Sequence, residues 1–579
     1  MANTIVPAEL LESSNNNIKI GSTAGDSLTD GTKNIAIGTN ALTAEDTRGS
    51  SVAIGYRALT AQNADAEAYN VAVGVDAALG LTTATSLTAV GAFAGGGGTL
   101  TGADNTLVGR NAGYVLTSGT NNTFIGSLSG DVTTTASNNT AVGYVSLSAN
   151  TTGTQNSAVG SGALKTNTTG NYNTAFGYEC LRLSTTSQEN TAVGYYALGA
   201  NTTGALNTAM GSAALDANTT GANNTAVGQN SLGANTTADD NTAVGKDALL
   251  LNTTGASNTA IGKGSLTFNQ TAANNTAVGY LSLNANTTGY ANTAVGSIAG
   301  DAITTGVNNT AVGRASLTSA TTGGSNVAIG LSAAEALTTA SDNVIIGANA
   351  GVRSTTAQYN TIIGTSAGDY ITTGSHNVII GYNAGSHNNN VTTGGDSVFI
   401  GNYASANASN PSLQIAIGYN VVCTGNSTIT VGASSNTASL SLNGSDTSWA
   451  AASSDERLKE NIETSKVGLD FINELRPVNY NWKKAKDVPS DMPQYVKGSE
   501  EPVLGFEYGT SQHGFIAQEA KKVVDKYRKD LADGFRFWIE KDDGTQTVAD
   551  GNLIPVLVKA VQELSAQVEK LQSQINEEK

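Results

Sequence analysis

The sequence is poor in charge, and this shortage narrows the class of protein. Charged residues make up only 13% of the chain, with 29 Lys and Arg against 46 Asp and Glu. Of the basic residues, 18 lie between residues 454 and 579, which leaves 11 for residues 1–453. An acidic chain with so few cations is a poor match for phosphate backbones, so we expect no nucleic-acid partner.

Proline, cysteine and long apolar runs are also scarce. No proline lies between Pro7 and Pro411, and because Pro removes a ladder hydrogen bond, its absence suits a long β-array. The two cysteines, Cys180 and Cys423, match no metal-binding or redox spacing, so we expect neither a metal nor a cofactor. No apolar run reaches the length of a signal-peptide core or a membrane span, which predicts synthesis in a cytoplasm and no membrane insertion.

A 17-residue repeat fills most of the chain. Its unit reads Asn-Thr-Ala-Val-Gly, then a variable residue or two, Ala-Leu and Asn-Thr-Thr-Gly, and its first glycine recurs every 17 residues from Gly126 to Gly381. Upstream copies extend to Gly21 with small slips, and two more follow at Gly401 and Gly418, which makes 24 units. The step from Gly381 to Gly401 is 20 residues, so we expect a three-residue loop there.

The repeat length predicts a mainly β fold. Seventeen residues are too few for a helical hairpin but fit one coil of a β-solenoid, which we expect over residues 18–418. The sequence of Thr140–Val142 favours a strand. The sequence Asn-Thr-Thr-Gly at 150–153 is typical of a turn, in which Gly153 is free to take a positive φ. Stacked coils align equivalent residues, which predicts one column of leucines: Leu147, Leu164, Leu181, Leu198, Leu215, Leu232 and Leu249.

The strands also predict self-association. Neighbours such as Ala141 and Val142 are both apolar although they point to opposite faces, and a strand that is apolar on both faces is buried on both. One face can fill the coil's own core, and the other then needs another copy of the chain. We therefore predict a parallel homotrimer, whose shaft would be on the order of 110 Å long at about 4.8 Å per coil.

The period fades after Gly418, and we expect a distal β tip over residues 419–453. Residues 427–431 and 439–442 alternate as two strands do, and residues 444–446, Gly-Ser-Asp, are typical of a turn. Trp449 follows. Its ring either stacks on a sugar or plugs the end of the trimer core, and the sequence leaves both open.

Residues 454–579 have a different character, with five of the seven prolines and most of the positive charge. We expect helices over 467–475 and 516–527, and strands over 478–482, 535–539 and 545–548. A trimeric coiled coil is predicted over 553–579, because apolar residues alternate there in steps of four and three. The alternative is an amphipathic helix packed on its own domain. The residues of this seam are Leu557, Val561, Leu564, Val568, Leu571 and Ile575.

The solenoid units resemble the Asn-Ser-Val-Ala-Ile-Gly head repeats of trimeric autotransporter adhesins, as in Ser-Val-Ala-Ile-Gly at 51–55 and Asn-Val-Ala-Ile-Gly at 326–330. The resemblance covers the solenoid only, and the repeat spacing differs from that family's commoner one. The signal peptide and C-terminal membrane barrel of that family are not found in this sequence.

Four blocks in the C-terminal region carry a second resemblance. They are Ser-Asp-Glu-Arg-Leu-Lys-Glu-Asn-Ile at 454–462, Leu-Arg-Pro-Val at 475–478, His-Gly-Phe-Ile-Ala-Gln-Glu at 513–519, and Leu-Ile-Pro, Lys-Ala and Gln-Glu-Leu within 553–564. In this order they are similar to the endosialidase-type intramolecular chaperone domain, a self-cleaving module at the end of many phage tail fibres and spikes. The resemblance implies a small α+β domain that trimerises the chain, guides its folding and then removes itself.

The same resemblance implies a catalytic Ser–Lys dyad of Ser454 and Lys459, and a cut between Ser453 and Ser454. The resemblance also implies that His513 belongs to the fold of the domain, and it assigns this residue no catalytic role. A serine hydroxyl can attack the carbonyl that precedes its own amide, and a lysine serves as base when burial or positive neighbours lower its pKa. Lys459 lies five residues after Ser454, and residues at this spacing do not share a face of a continuous helix. We therefore expect Ser454 in a loop just outside a helix.

The sequence therefore predicts a phage tail fibre or spike protein, made in the host cytoplasm, carried on the virion and enzymatic only towards itself. Expected partners are two further copies, a baseplate or other tail protein at residues 1–17, and a host cell-surface glycan or protein. One alternative is a fibre that also degrades surface polysaccharide. Hydrolysis of a glycosidic bond ordinarily needs two neighbouring carboxylates, and the solenoid sequence has no obvious pair of them. The other is a bacterial surface adhesin, which the missing export signal disfavours.

Overall fold

The computed structural model describes residues 14–45, 47–64, 66–387, 389–434, 436–442, 450–451, 460–503, 509, 511–532, 535–540 and 544–578. The chain separates into two compact units, residues 1–453 and residues 454–579. Among the described residues, we find no helix with the length and apolar character needed to cross a lipid bilayer.

The first unit is a β-solenoid of 24 coils, as the repeat predicts. Each coil contributes one short strand, and strands β1 to β24 pair in parallel, each residue lying beside its equivalent in the next coil, as Ala141 lies beside Ala158. The strands are β1 Ile18–Ile20, β2 Ile35–Ile37, β3 Val52–Ile54, β4 Val71–Val73, β5 Thr88–Val90, β6 Thr106–Val108, β7 Thr123–Ile125, β8 Thr140–Val142, β9 Ser157–Val159, β10 Thr174–Phe176, β11 Thr191–Val193, β12 Thr208–Met210, β13 Thr225–Val227, β14 Thr242–Val244, β15 Thr259–Ile261, β16 Thr276–Val278, β17 Thr293–Val295, β18 Thr310–Val312, β19 Val327–Ile329, β20 Val344–Ile346, β21 Thr361–Ile363, β22 Val378–Ile380, β23 Val398–Ile400 and β24 Gln414–Tyr419.

The core of each coil is thin. In β8 the side chain of Ala141 is fully buried, whereas Thr140 and Val142 on the opposite face are half-buried. The predicted leucine column is buried as well, since Leu147 and its equivalents in neighbouring coils are fully inaccessible. Small alanines therefore fill the interior of the solenoid together with a leucine or, in several coils, another large apolar residue such as Phe124, Ile345 or Phe399.

The expectation for Gly153 is wrong. The residue that leaves each strand, such as Gly143 with φ 139°, takes the positive φ, and in the turn Leu147 itself is left-handed at φ 53°. Gly153 is required for a different reason, because a Cβ there would lie 2.4 Å from the Gly170 carbonyl oxygen of the next coil. The repeat thus uses its two glycines differently, one for backbone conformation and one for close stacking.

Buried asparagines tie successive coils together. Asn139, which precedes β8, is fully buried, and its Nδ2 donates to the Gly153 carbonyl at 3.0 Å. Its Oδ1 accepts from the backbone N–H of Asn156 one coil later at 3.0 Å. A second column contains Asn150 and Asn167, in which Asn167 Nδ2 donates to Asn150 Oδ1 at 3.1 Å. These side chains satisfy buried backbone groups that the thin core would otherwise leave unpaired.

The predicted loop and tip are present in the solenoid unit. The three extra residues of the 20-residue step lie between Gly385 and Val391, where the Val391 N–H bonds back to the Gly385 carbonyl at 3.1 Å. After β24, strand β25 (Thr428–Ala433) continues in parallel, and β26 (Asn436–Ser441) and β27 (Ala450–Ala451) are antiparallel. The predicted turn at 444–446 and Trp449 lie outside the described residues.

The second unit is a small α+β domain, as expected. Its elements are α1 (Leu469–Glu474), β28 (Val478–Tyr480), β29 (Gln512–Gly514), α2 (Ala517–Lys526), β30 (Trp538–Glu540), β31 (Gln546–Val548) and α3 (Ile554–Glu577). Helix α1 is shorter than the expected 467–475, since Leu475 is already extended ahead of the Arg476-Pro477 pair, where Pro disfavours helix in the residue before it. The core is formed by Phe471, Phe537, Ala520, Val524, Leu553 and Val556.

Candidate functional site

The predicted catalytic residues Ser454 and Lys459, and the bond between Ser453 and Ser454, lie outside the described residues. The structure does describe residues 460–503, and so it shows which contacts hold the segment that directly follows the dyad. That segment leads into α1 through Gly468, and it carries the candidate site.

Helix α1 is attached to α3 by a carboxylate. Glu563 Oε2 on α3 accepts a hydrogen bond from the Leu469 backbone N–H at 2.8 Å, at the first residue of α1. Lys559, one turn earlier on α3, lies 3.5 Å from the other oxygen of Glu563. A Cβ at residue 468 would lie 2.4 Å from the Glu563 carboxylate, so any residue larger than glycine there would displace this side chain. The long helix and the segment after the dyad are therefore held in one arrangement.

Ion pairs at the surface link α1 to α2. Glu474 at the end of α1 accepts from the Tyr527 hydroxyl at 2.9 Å and from the Lys526 ammonium. These donors, Lys526 first, lower the pKa of Glu474. Beyond α1, Arg476 forms a bidentate pair with Glu519 at 2.9 and 2.6 Å, which lowers the pKa of Glu519.

An open cleft of about 570 Å³ adjoins the same segment. It is lined by residues 463–467, by Phe535, by residues 529–532 after α2 and by residues around the start of α3. Its charged lining residues are two acidic and two basic ones, Glu463, Asp530, Lys466 and Lys529. The stretch that follows the dyad thus forms one wall of the cleft, and the start of α3 forms another.

His513 has a structural contact. It lies on β29 opposite Asn479 of β28, and its Nδ1 is 2.9 Å from Asn479 Oδ1. The contact joins the two strands of this hairpin-like pair, in keeping with the fold role that the sequence resemblance implied.

The apolar seam of α3 does not pack on its own unit. Its six residues, Leu557 to Ile575, are 43 to 62% exposed, whereas Val556 and Ala560 on the neighbouring side of the helix are buried. Helix α3 therefore contacts its own domain beside the seam and not through it. Among the described residues, the seam is an exposed apolar surface.

The solenoid carries a second apolar surface, which we call the outer apolar column. It consists of the outward-facing third residue of the repeated strand segment, which is apolar in all 24 coils and buried in none. Its members are Ile20, Ile37, Ile54, Val73, Val90, Val108, Ile125, Val142, Val159, Phe176, Val193, Met210, Val227, Val244, Ile261, Val278, Val295, Val312, Ile329, Ile346, Ile363, Ile380, Ile400 and Ile417.

The cysteines and acidic residues form no further reactive site in the described part of the chain. Burial raises the pKa of Cys180 to about 12 and that of Cys423 to about 11, so both thiols stay protonated at neutral pH. Within the same residues, no group of three His, Cys, Asp or Glu side chains is placed to hold a metal ion.

Comparison with known families agrees with this geometry. Residues 454–528 match the family model described as Chaperone of endosialidase. The match begins at Ser454 and spans α1, β28, β29 and α2, and the solenoid lies outside it. No curated protein and no solved structure matches the chain. The chain thus combines a β-solenoid of 17-residue coils with a C-terminal chaperone-of-endosialidase domain, an arrangement that fits a tail fibre.

Two structural features were missed in the sequence. The buried asparagine before most strands was assigned to the repeat motif without a role, although its recurrence directly ahead of most Thr-Ala-Val segments was the available signal. The contact between Glu563 and Leu469 joins residues 94 positions apart, and nothing in the local pattern around Glu563 distinguishes it from other polar positions of α3.

Proposed function

We propose that this chain is a homotrimeric tail-fibre or tail-spike protein of a bacteriophage, which attaches the virion to the surface of its bacterial host. The observation that carries the proposal is the place of the chaperone match, which begins where the described solenoid unit ends. A folding module fused to the end of a long β-array is expected of a protein whose array cannot assemble easily by itself.

Two unpartnered apolar surfaces support the homotrimer. The outer apolar column runs through every coil of the solenoid, and the seam of α3 is exposed over six residues. Apolar surfaces of this extent usually mark contact with another chain. Three parallel copies cover both at once, because the heptad spacing of α3 and the constant register of the coils suit the same parallel arrangement.

Self-cleavage after assembly completes the proposal. The Ser454 Oγ attacks the carbonyl carbon of Ser453, Lys459 takes the hydroxyl proton and passes it to the leaving Ser454 amine, and the peptide C–N bond breaks. The resulting ester between Ser453 and the Ser454 oxygen is hydrolysed by water. The products are residues 1–453 with a new carboxylate and residues 454–579 with a new amino group.

Cleavage gives the fibre kinetic stability. Long-range pairing between three β-chains nucleates slowly, and a coiled coil at α3 sets the register of the three chains first. Once the chaperone module has been removed, an unfolded shaft cannot refold with its assistance. The lifetime of the folded shaft therefore depends on the rate of unfolding. A protein that works outside the cell benefits from this property.

Immunolabelling tests the attachment role. Antibodies raised against the solenoid should label the tails of virus particles in electron micrographs and block their adsorption to host cells. Antibodies against residues 454–579 serve as the control and should label far fewer mature particles. Labelling confined to the envelope of a bacterium would contradict the proposal and favour the adhesin alternative.

A further inference from the structure

The distal coils contain the one interruption of the 17-residue period after Gly126. The extra residues follow Gly385, and they are fastened to the next coil, since Asn389 Nδ2 donates to the carbonyls of Ala406 and Asn407 at 3.3 and 2.9 Å. The inserted loop is thus held at a fixed place on the solenoid surface.

A group of aromatic side chains lies beside this loop, and we call it the distal aromatic cluster. It consists of Tyr382, Tyr403, Tyr419 and His387. The Tyr403 ring lies 5.3 Å from Tyr382 and 6.2 Å from Tyr419, in edge-to-face arrangements, and 4.6 Å from the His387 ring. The three tyrosines lie in three successive coils: Tyr382 and Tyr403 follow β22 and β23, and Tyr419 is the last residue of β24.

The cluster is not needed to build the coils. Tyr382 is 45% and Tyr419 57% exposed, so most of their ring area does not stabilise the interior. At the position that Tyr382 occupies, directly after the strand glycine, other coils have either a small residue, as Ala348 and Thr365, or a tyrosine, as Tyr178 and Tyr195, and their strands pair in the same register. Large rings exposed where small residues suffice point to a binding role.

The surroundings of the cluster indicate the chemistry of its ligand. Between Arg353 and Arg457 the sequence has no Lys or Arg, so the cluster has no permanent cation to pair with a carboxylate or phosphate, and its one basic side chain is the imidazole of His387. The polar groups here are amides and hydroxyls, as in the contact in which Asn402 Oδ1 accepts from the Tyr382 N–H at 3.3 Å. Aromatic faces combined with amide and hydroxyl groups suit a ligand that has both apolar C–H faces and many hydroxyls.

We infer that the distal aromatic cluster binds an uncharged saccharide of the bacterial surface. Sugar C–H faces stack on the exposed rings of Tyr382 and Tyr419, and Tyr403 between them holds both rings in place. The inference rests on the proposed attachment function and specifies its ligand class as neutral glycan, which excludes sialic acids, uronic acids and phosphorylated sugars.

Binding to arrayed saccharides tests the inference. The processed wild-type protein is applied to an array of neutral bacterial oligosaccharides and to polysialic acid and alginate as anionic probes. We expect binding to at least one neutral saccharide and to neither anionic probe. Tyr403→Ala should weaken that binding about tenfold, since it removes the ring that orders the other two. The equally exposed Tyr290, remote in sequence from the cluster, supplies the control variant Tyr290→Ala, which should bind as the wild type does.

Three results would overturn the inference: no binding to any neutral saccharide, equal binding to an anionic probe, or unchanged binding by Tyr403→Ala. A loss of the trimer in Tyr403→Ala would overturn it too, because the cluster would then be a contact between copies. The attachment role is judged separately by binding of the labelled protein to whole bacteria. If the protein binds cells in a way that periodate oxidation of their glycans does not affect, the attachment proposal stands and this inference fails.

Discussion

The Glu563 carboxylate on α3 accepts a hydrogen bond from the Leu469 N–H at the start of α1. Glu563 lies beside the seam residue Leu564, and Leu469 lies ten residues after Lys459, so this hydrogen bond is one of the contacts that join the predicted assembly helix to the segment that follows the predicted dyad. In the proposed trimer, packing of three α3 helices therefore also fixes the position of α1. In our account this contact makes cleavage depend on assembly.

Removal of the Glu563 carboxylate should slow self-cleavage. Glu563→Ala loses a hydrogen bond to a charged acceptor, worth roughly 1.5–3 kcal/mol, so cleavage should slow by about tenfold or more. Glu563→Gln keeps an acceptor oxygen and should recover part of the rate. The appearance of the 1–453 fragment on denaturing gels measures the effect. Glu569→Ala, at an exposed position of the same helix, is the matched control, and equal rates for all three variants would refute the coupling.

A charge in the α3 seam should prevent assembly. Leu571 is 57% exposed in the single chain, so Leu571→Asp should leave the fold of the module intact while placing a carboxylate in the proposed coiled-coil interior. Light scattering, in a Ser454→Ala background that keeps the module attached, should change from trimer to monomer. Ser573→Asp adds the same charge outside the seam and should remain trimeric. A trimeric Leu571→Asp protein would rule out the coiled coil.

Loss of one buried asparagine should open the solenoid locally. Asn207 Nδ2 donates to the Gly221 carbonyl at 2.8 Å, and its Oδ1 accepts from the Asn224 N–H at 3.0 Å. Asn207→Ala leaves both backbone groups unpaired, which should cost about 3 kcal/mol. Because coils contact mainly their neighbours, hydrogen exchange should accelerate around residues 207–224 and little elsewhere. The exposed Thr203→Ala is the control, and unchanged protection in Asn207→Ala would show that the asparagine column is dispensable.

The solenoid should gain stability when Asp216 is neutralised. Burial raises the pKa of Asp216 above its ordinary value of 3.8, as it does for Asp131 and Asp301 at the same position of other coils. A raised folded-state pKa favours folding fully below the unfolded value, and this contribution is lost as the pH rises through the folded value. Asp216→Asn should therefore raise the thermal midpoint at pH 7 but not at pH 3. The exposed Glu189→Gln should change neither midpoint, and an equal gain at both pH values would contradict the burial explanation.

The solenoid is predictable from the sequence because the same pattern of strand and turn residues recurs in 24 units. The strand segment and its glycine, which recur in every unit, predict β1 to β24, and the leucine that recurs in the central coils predicts the buried column at Leu147. The reason for Gly153 was misjudged because stacking on Gly170 is a contact between coils, and a turn motif read within one coil does not contain it. The seam of α3 was predicted from its heptads, whereas the Glu563–Leu469 contact depends on tertiary packing. The roles assigned to Ser454 and Lys459 remain predictions.

Mass spectrometry of the expressed chain, both intact and under native conditions, tests the central claim most directly. The account predicts that the wild type yields a trimer of residues 1–453 and a separate 454–579 fragment, and that Ser454→Ala yields a trimer of uncut chains. Ser453→Ala, which keeps the nucleophile, should still be cut. A Ser454→Ala chain cleaved at the same bond, or a monomeric shaft from the wild type, would contradict the account.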